Sequence, residues 1–386
     1  MKPLEGIKIL DFSQLHGATF ATMLLADFGA EVIKVEKPQG DYLRQIGPKK
    51  NDTSVYHSYL NRNKKSIVID LKTKEGQELA KKLVSKVDVV IENYRYGTME
   101  SFGLGYETLK EINPKLVYGT LTGYGRTGVN KEKVCFDNGA AAFSGMMDMT
   151  GYTGSCPITM GAQFGNLYGG LYLALGVLLA VINVKKGGEG QMVDVSVVDA
   201  LLNAMEDGVL DIEFEGHPQI RNGNMSLSIA PYDTFQTVDG FVSVGVLSDL
   251  QWEKVCKVFD MEDMLEDPRL QTTTDRGHNY LTSGLRDRME AFTKDKSKFE
   301  IEKLLSEQNI PCGSVCTPKE AAASEQLKLR EMLIRIMDPE AGEVAMPGVV
   351  GKLLKTPGSV DKAAPMLDAD KEDILDEFEI TKGGEQ

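Results

Sequence analysis

The sequence is poor in the residues that form metal, disulfide and nucleic-acid sites. Its 386 residues include 5 cysteines and 4 histidines. The cysteines are scattered and form no CxxC pair, so we expect no metal site and a reduced, cytoplasmic setting. Lys and Arg number 43 against 57 Asp and Glu, which leaves a formal net charge of −14. This acidic excess argues against a nucleic-acid partner, because phosphate binding needs clustered Lys and Arg.

The sequence also shows no long run of strongly apolar residues. The longest uncharged stretch runs from Met149 to Val184, but asparagines and glycines interrupt it. Its strongly apolar part, Leu171–Ile182, is shorter than the ~20 residues that cross a bilayer. We therefore expect a buried helix and no membrane association. The opening segment MKPLEGIKILDF lacks a signal-peptide pattern and is typical of a first core strand.

Short apolar runs alternate with helical patterns along the first half of the chain. The runs that predict strands are Ile7–Phe12, Glu31–Glu36, Ser66–Asp70, Val87–Glu92, Leu116–Leu121 and Met192–Val197. The helical patterns between or after them are Ala18–Phe28, Thr73–Ser85 and Val198–Met205. Strands that alternate with helices predict an α/β fold with a doubly wound parallel sheet.

The second half has a different pattern. Asp233–Gln236 and Phe241–Val246 predict a hairpin, because Asp239-Gly240 lies between them, and helices follow up to Gln308. This pattern predicts a smaller α+β domain. We expect a large domain over 1–214, a linker over 215–230, the small domain over 231–325, and a return to the large domain over 326–386. The acidic tail, Asp368–Gln386, is predicted to be exposed.

The first strand, helix and second strand imitate a dinucleotide-binding unit. In such a unit an acidic residue after the second strand binds ribose, as Glu36 would here. The turn after the first strand, Ser13–Ala18, has only one glycine, Gly17, instead of the GxGxxG pattern that admits pyrophosphate. We therefore expect no NAD.

Several longer segments resemble the class III coenzyme A transferases, also called the CaiB/BaiF family, which includes formyl-CoA transferase. These segments are KPLEGIKILDF, LLADFGAEVIKVEKP, RNKKSIVIDLKTKEG, VVIENYRYG, GYGRTG, KGGEGQMVDVSVVDALL, APYDTFQTVDGFV and NIPCGSVCTPKEAAA. The segments follow the family order and spacing, and the resemblance extends over nearly the whole chain. The resemblance implies a Rossmann-like large domain, a small domain and an interlocked homodimer. It also implies two small-molecule partners, an acyl-CoA thioester and a small carboxylic acid.

The family chemistry needs a nucleophilic aspartate, and this chain has Asn166 at that position. The family residue lies in a Gly-Asp pair before a glycine-flanked apolar helix, and Gly165-Asn166 is the matching pair. An amide cannot form the covalent intermediate, so we expect transfer to be blocked or impaired. Three explanations stay open: an introduced substitution, a natural loss of activity, or deamidation that restores the acid. A purely structural role, in which Asn166 caps the helix, is compatible with each of them.

The resemblance assigns further residues to the site. Gln14 and Asp137 lie at positions close to the family nucleophile. Positions that imply contact with coenzyme A are His16, Gly17, Lys37, Ile69, Asp70, Leu71, Lys72, Asn93, Tyr94, Arg95, Ser101, Lys133, Val134, Cys135 and Phe136. Lys37 and Lys72 supply positive charge for phosphates. His16 could instead be an ordinary histidine of the turn, and Lys37 and Lys72 could be solvated surface residues without a ligand.

Two departures from the family pattern bear on the substrate and on rival functions. Ser101 replaces an arginine that several members direct at phosphate, and Phe136 replaces the tyrosine of formyl-CoA transferase. The glycine-rich loop of that enzyme's small domain is also missing, which favours an acyl group larger than formyl or oxalyl. An α-methylacyl-CoA racemase needs a histidine and an aspartate, where this chain has Phe136 and Asn166. The other alternative is a non-catalytic acyl-CoA binding protein.

Overall fold

The computed structural model describes residues 1–216, 220–226 and 228–380. Within this part of the chain the strands are β1 Lys8–Asp11, β2 Glu31–Glu36, β3 Lys49–Lys50, β4 Thr53–Ser54, β5 Lys65–Val68, β6 Val89–Glu92, β7 Val117–Thr122, β8 Met192–Ser196, β9 Tyr232–Thr237, β10 Gly240–Gly245, β11 Cys312–Ser314, β12 Leu333–Asp338 and β13 Gly342–Pro347. The α-helices are α1 Ala18–Asp27, α2 Val55–Leu60, α3 Lys74–Val84, α4 Thr98–Ser101, α5 Tyr106–Ile112, α6 Asp137–Ser144, α7 Phe164–Lys185, α8 Val197–Asn203, α9 Gly208–Leu210, α10 Asp249–Val258, α11 Thr273–Asn279, α12 Leu285–Thr293, α13 Lys298–Glu307, α14 Pro318–Ala323, α15 Glu325–Leu329 and α16 Lys371–Glu377. The described residues also form 3₁₀ turns at Tyr42–Arg44, Glu262–Glu266 and Pro268–Leu270, and a π-helical turn at Asp211–Glu215.

A six-stranded sheet in the order β5-β2-β1-β6-β7-β8 forms the centre of the larger unit. Every pair of neighbouring strands in it is parallel. The predicted α/β fold with a parallel sheet is therefore confirmed. The strand order reverses between β1 and β6, because β2 and β5 continue on one side and β7 and β8 on the other. Ligands of open α/β sheets bind at such a reversal, beyond the carboxyl ends of the strands.

Helices cover both faces of the sheet, which explains why its strands are apolar on both sides. On one face, α1, α6, α7 and α8 pack over buried residues such as Ile9, Ile91 and Val117. On the other face, α3, α5 and α16 pack over Leu10 and Val90. The two helix layers fix the turns that follow β1 and β6, where the candidate site lies.

Helix α7 is longer than the apolar segment that the sequence interpretation considered. It has 22 residues and is long and apolar enough to cross a membrane by length and composition alone. The core helix of a soluble protein can be equally long and apolar. Leu173, Val177 and Ala180 of α7 are buried against the sheet. Its opposite face carries an exposed apolar stripe, which consists of Leu171, Leu175, Leu179 and Ile182.

The contacts divide the chain into two compact units. The first contains Met1–Asp148, Ile158–Gln219 and Glu325–Gln386, and the second contains Met149–Pro157 and Ile220–Ser324. The second unit is built on the antiparallel sheet β11-β10-β9 with helices α10 to α13 beside it. The short segment Met149–Pro157 belongs to the second unit, although the sequence boundaries placed it in the large domain. Its Gly151 O accepts a hydrogen bond from Gly223 N at 2.8 Å.

The prediction of an exposed C-terminal tail is wrong for the part that the structure describes. Residues 371–377 form α16, and Ile374, Leu375 and Phe378 are buried in the core of the larger unit. The acidic residues lie on the outer side, where Glu377 pairs with Lys8 and Lys65. An acidic composition therefore concealed an amphipathic helix. Residues 381–386 lie outside the described part of the chain.

Candidate active site

A cavity of about 830 Å³ opens at the carboxyl edge of the central sheet. The segments that follow β1, β6 and β7 form its walls, and the start of α7 contributes Gln163 and Asn166. The cavity thus lies at the reversal of strand order, and the strand ends bring together residues that are far apart in sequence. The predicted site residues that line it are Gln14, His16, Asn93, Tyr94, Arg95, Lys133, Val134, Cys135, Phe136, Asp137 and Asn166.

Asn166 lies in the first turn of α7, with its side chain at the cavity. The helix begins at Phe164 and its cap position is Gln163, so Asn166 is not the helix cap that the structural alternative proposed. Its Nδ2 donates to Gln163 Oε1 at 3.2 Å, and its backbone N donates to Asp137 Oδ1 at 2.7 Å. Asp137 therefore accepts from one of the free amides at a helix start, where negative charge is favourable. The predicted proximity of Asp137 to position 166 is seen directly in this contact.

The turn after β1 crosses the cavity beside Asn166. A Cβ added at Gly17 would lie 3.3 Å from both the backbone O and the Oδ1 of Asn166. The same turn holds Leu15 at φ 59, a left-handed conformation that non-glycine residues rarely adopt. A turn with this geometry needs contacts from outside to hold it, because the conformation costs free energy by itself.

Those contacts come from a buried ion pair and from the neighbouring strand end. The Lys34 ammonium pairs with Asp41 at 3.2 Å, and both side chains are 1% exposed. Asp41 accepts from Leu15 N at 3.3 Å, and Lys34 Nζ donates to the carbonyl of Ser13. On the other side Gln14 N donates to Asn93 Oδ1 at 2.7 Å. The turn is thus held by the Lys34–Asp41 pair and, separately, by Asn93.

His16 points towards the cavity from this turn. Its ring lies 5.3 Å from the ring of Tyr56, and its Nδ1 is buried with no hydrogen-bond partner among the described residues. Burial lowers the pKa of His16, and the carboxylates of Asp41 and Asp137 oppose this only in part. The imidazole is therefore neutral at pH 7 and can accept or donate a hydrogen bond with a ligand.

The glycine-rich loop after β7 is tied to the strand end after β6 through Arg126. The Arg126 guanidinium pairs with Glu92 at 3.3 Å and with Glu100, and it lies 5.2 Å from the ring of Tyr96. Its backbone N donates to Asp194 Oδ2 at 2.9 Å. The Lys131 ammonium also lies over the ring of Tyr96, 4.4 Å from the ring centroid. Arg126 therefore joins two walls of the cavity.

Glu92 is the buried carboxyl in this contact. It is fully buried at the end of β6, and it accepts a hydrogen bond from Tyr94 N at 2.6 Å. Burial raises the pKa of Glu92 to about 7, and the bond from Tyr94 N and the charge of Arg126 offset it only in part. Arg126 cannot compensate fully because it is shared with Glu100.

The raised pKa of Glu92 predicts a pH-dependent loss of stability. Between pH 4.5 and 7 the folded state binds this proton more tightly than the unfolded state, so the free energy of unfolding falls as pH rises. We expect Glu92→Gln to remove this dependence, since a neutral amide occupies the same space. Urea unfolding at pH 5, 6, 7 and 8 measures the free energy of unfolding. Between pH 5 and pH 8, the free energy of unfolding of the variant should rise by about 1–3 kcal/mol relative to that of the wild-type chain.

A matched control separates this effect from general changes in charge. Glu111 is exposed on α5 of the same unit, and we expect Glu111→Gln to leave the pH profile unchanged. A wild-type profile that stays parallel to the Glu92→Gln profile from pH 5 to 8 would show that Glu92 remains ionised throughout.

Seven predicted residues do not line the cavity. Gly17 lies behind Asn166, Lys37 and Lys72 are exposed, and Ser101 donates to Thr98 O in α4. The side chains of Ile69 and Leu71 are buried in the core, so only their backbone could contact a ligand. Asp70 accepts from Lys72 N at 3.0 Å within the turn before α3.

The cavity also contains residues that the sequence reasoning did not single out. These are Tyr96, Thr98, Leu121, Thr122, Tyr124, Lys131, Glu132, Asn138, Gln163 and Val197. Tyr96 and Thr98 continue the strand-end segment that includes Arg95, and Gln163 precedes Asn166 by one helical turn. Their closeness in sequence to predicted residues was the available signal. Val197 gave none, because it reaches the cavity only through the packing of α8.

The dinucleotide-binding alternative depends on Glu36, and the structure shows this side chain bonded within the protein. Glu36 is 3% exposed, and its carboxylate accepts from Arg44 Nε at 2.8 Å, from Asp41 N at 2.8 Å and from Ser66 Oγ at 2.9 Å. Burial raises the pKa of Glu36, but these bonds outweigh it and lower the pKa to about 2. The carboxylate is therefore committed to the protein and not to a ribose. In the part of the chain that the structure describes, no group of three His, Cys, Asp or Glu side chains is placed to hold a metal ion.

Comparison with known proteins places this architecture in one family. The sequence model of CoA-transferase family III matches residues 4–371. The succinyl-CoA–D-citramalate CoA-transferase of Chloroflexus aurantiacus is 34% identical over 97% of this chain and 93% of its own. The succinyl-CoA:mesaconate CoA-transferase of Haloarcula hispanica is 34% identical over 99% and 98%.

The solved structures agree with the sequence comparison. The crystal structure of a CaiB/BaiF family protein from Brucella suis superposes with a TM-score of 0.88 at 30% identity, and covers 98% of this chain and 99% of its own. The similarity thus extends over nearly the whole of both chains. The chain belongs to CoA-transferase family III.

Proposed function

We propose that the cavity binds acyl-CoA and that Asn166 blocks the transfer of coenzyme A to a carboxylic acid. The observation that carries the proposal is the position of Asn166 at the start of α7, with its side chain at the cavity and its backbone N bonded to Asp137. A carboxylate at this place would face an incoming thioester beside a helix start, where developing negative charge is stabilised.

The transfer reaction explains why the side chain at position 166 is decisive. A carboxylate oxygen attacks the thioester carbonyl, the C–S bond breaks, and a mixed anhydride forms as CoA thiolate leaves. The thiolate then attacks the enzyme-side carbonyl of the anhydride, which releases the donor acid and leaves an enzyme–CoA thioester. The acceptor carboxylate attacks this thioester, and the same steps in reverse yield the new acyl-CoA and the free enzyme carboxylate.

An asparagine can occupy the site but cannot perform the first step. The lone pair of its nitrogen is delocalised into the carbonyl, and its oxygen carries no full negative charge to attack the thioester. The remainder of the cavity keeps groups that suit an acyl-CoA, including Arg95, Lys131 and Lys133. Positive side chains favour the phosphates and carboxylates of the two substrates. We therefore propose that the chain as it stands binds acyl-CoA without transferring coenzyme A.

Dicarboxylic acids are the substrate class that we propose. The two curated relatives described above are named for succinyl-CoA, with citramalate or mesaconate as the second acid. A cavity of about 830 Å³ leaves room for an acyl group larger than formyl. The Asn166→Asp variant, assayed with a panel of acyl-CoA donors and acids, tests both the reaction and the class.

Two other functions were expected as alternatives, and one has an observation in its favour. A non-catalytic acyl-CoA binding protein is favoured by Asn166 itself, if the natural chain has lost the reaction. A racemase would need acid and base groups at the positions of Phe136 and Asn166, and neither side chain can take a proton. The same turnover assay separates the binder from the transferase.

A homodimer is the assembly that we propose, in a cytoplasmic setting that suits five free cysteines. The exposed apolar stripe on α7 supports the dimer, because Leu175 and Leu179 are 51% and 60% exposed in the single chain. Surfaces of this kind mark association sites when several large apolar residues adjoin.

Charges placed in this stripe should prevent the dimer from forming. Burying two carboxylates in an apolar interface is costly, so we expect the Leu175→Glu/Leu179→Glu double variant to be monomeric. Light scattering after size-exclusion chromatography measures the mass directly. Ile112→Glu changes an exposed residue on α5 and should leave the dimer intact. A double variant with the mass of the wild-type assembly would exclude this stripe as the interface.

A further inference from the structure

We propose that Asn93 is a positioning residue, whose side-chain amide holds the turn of residues 14–17 against position 166. The inference rests on the proposed acyl-CoA function of the cavity and changes the role that the family resemblance implied for this residue.

The amide of Asn93 pairs with both backbone groups of a single residue, Gln14. Its Oδ1 accepts from Gln14 N at 2.7 Å, and its Nδ2 donates to Gln14 O at 2.7 Å. The two bonds pair the side chain with the turn as one strand pairs with another. The two short bonds fix the plane of the amide, so a ligand could use only its remaining N–H or oxygen lone pair without breaking one of them.

The pairing requires an asparagine, because the amide has to donate and to accept at once. An ionised aspartate accepts from Gln14 N but repels the carbonyl of Gln14, and an alanine makes neither bond. A protonated aspartate regains the pattern, since its O–H donates to Gln14 O and its other oxygen accepts from Gln14 N. The role of Asn93 can therefore be tested by pH with one substitution.

The position of Gln14 matters for position 166 through the rest of the turn. Gly17 O lies 2.5 Å from the place of a Cβ on Gly170, so the turn and α7 touch through their backbones. The turn is also held in a left-handed conformation at Leu15, with Asp41 accepting from the Leu15 N–H on the side away from Asn93. If Asn93 no longer holds Gln14, this residue keeps the bond from its Nε2 to the Tyr94 hydroxyl, but its backbone loses both bonds to the end of β6.

The titratable and charged groups near the substituted side chain set its ionisation. Glu92 precedes position 93 at the end of β6 and is paired with Arg126. Lys34 on β2 and Asp41 in the loop after it lie beside the turn. His16 and Asp137 face the cavity. The facing carbonyl of Gln14 disfavours a carboxylate at position 93. We therefore expect the substituted side chain to gain its proton more readily than a free aspartate as pH falls.

The experiment measures coenzyme A affinity of the wild-type, Asn93→Asp and Asn93→Ala chains by calorimetry from pH 8 to 5. At pH 8 we expect both variants to bind coenzyme A at least tenfold more weakly than the wild type. As pH falls, the ratio of the Asn93→Asp to the wild-type affinity should recover several-fold, while the Asn93→Ala ratio stays constant. In the Asn166→Asp background, kcat should fall more than KM rises, because the turn adjoins the reacting position.

Hydrogen exchange of the free chains gives a reading without ligand. The backbone amides of the turn should exchange faster in Asn93→Ala and in Asn93→Asp at pH 8, and should regain protection in Asn93→Asp at low pH after correction for the intrinsic rate. This measurement tests the positioning role even if the wild-type chain binds no coenzyme A, a result that would overturn only the proposed function.

Asn113→Asp is the matched control. Asn113 also bonds backbone groups at both ends, with Nδ2 donating to Val87 O at 2.9 Å and Oδ1 accepting from Lys115 N at 3.1 Å, but it lies away from the cavity. It should lower stability and leave coenzyme A affinity unchanged. The positioning role is overturned if Asn93→Ala keeps wild-type affinity and exchange, or if Asn93→Asp stays as weak as Asn93→Ala at every pH.

Discussion

Asn166→Asp should raise kcat for coenzyme A transfer from background by at least about 10³-fold, because it supplies the carboxylate that covalent catalysis requires. The substitution exchanges an amide for a carboxylate of nearly the same shape, so the helix start and the bond from the backbone N to Asp137 are retained. Succinyl-CoA with a panel of dicarboxylic acids, followed by mass spectrometry of the CoA products, measures the gain. Affinity for acyl-CoA should change much less than kcat.

Three controls define what the gain means. Asn138→Asp makes the same chemical change at another side chain of the cavity and should give no transfer, since Asn138 lies in α6 and not at the family position. Intact-mass analysis of the wild-type chain detects spontaneous deamidation, which would otherwise create a small active fraction. Hydroxylamine trapping in the active variant should modify position 166. A variant that binds acyl-CoA but never exchanges coenzyme A would favour the non-catalytic binder.

The sequence was sufficient to predict the central sheet, for a physical reason. Strands buried on both faces are continuous apolar runs, and Glu31–Glu36 was predicted with the bounds that the structure has. The bounds of other strands differ by one or two residues, as for the predicted Ser66–Asp70 and the observed Lys65–Val68. The outermost residues of a strand are set by hydrogen bonds to its neighbours, and a single sequence does not contain that information.

The candidate site was predictable in its location but not in its roles. Strand ends meet at one edge of a parallel sheet, so residues after β1, β6 and β7 had to lie near one another. The resemblance added position 166, which no pattern in a single sequence would have marked. What the sequence could not show is which polar groups already have partners within the protein. Asn93 is bonded to the backbone of Gln14, and Glu36 to Asp41 N and Arg44.

The C-terminal helix illustrates a different limit. Seven residues with four acidic side chains suggest a solvated tail, yet Ile374 and Leu375 belong to a core that includes Leu10 and Val90 of the central sheet. Only the long-range packing decides whether so short an amphipathic segment is ordered, because an isolated helix of this length is unstable in water.

Arg62→Met should lower the free energy of unfolding by about 3–5 kcal/mol, because it leaves a buried carboxylate without its partner. The Arg62 Nε and Nη2 atoms donate to the two oxygens of Asp27 at 3.0 and 2.6 Å, and both side chains are 1% exposed. The third guanidinium nitrogen donates to Pro347 O at 2.5 Å. The pair therefore connects α1 with β13, and urea unfolding at pH 7 measures its loss.

The ionisation of Asp27 supplies the decisive check on this prediction. Burial raises the pKa of Asp27 even with Arg62 in place, so without Arg62 the folded state should take up a proton more readily still. The deficit of Arg62→Met should then shrink as pH falls towards 5, since the folded state binds more protons than the unfolded one. Replacing both partners, as Arg62→Met/Asp27→Leu, should recover most of the loss. Lys110→Met, at an exposed ion pair with Glu107, should have no measurable effect. The Arg62 guanidinium also lies over the Tyr59 ring, 5.1 Å from its centroid. A pH-independent deficit that persists in the double variant would place the cost in lost contacts with Tyr59 and Pro347 instead of in the buried charge.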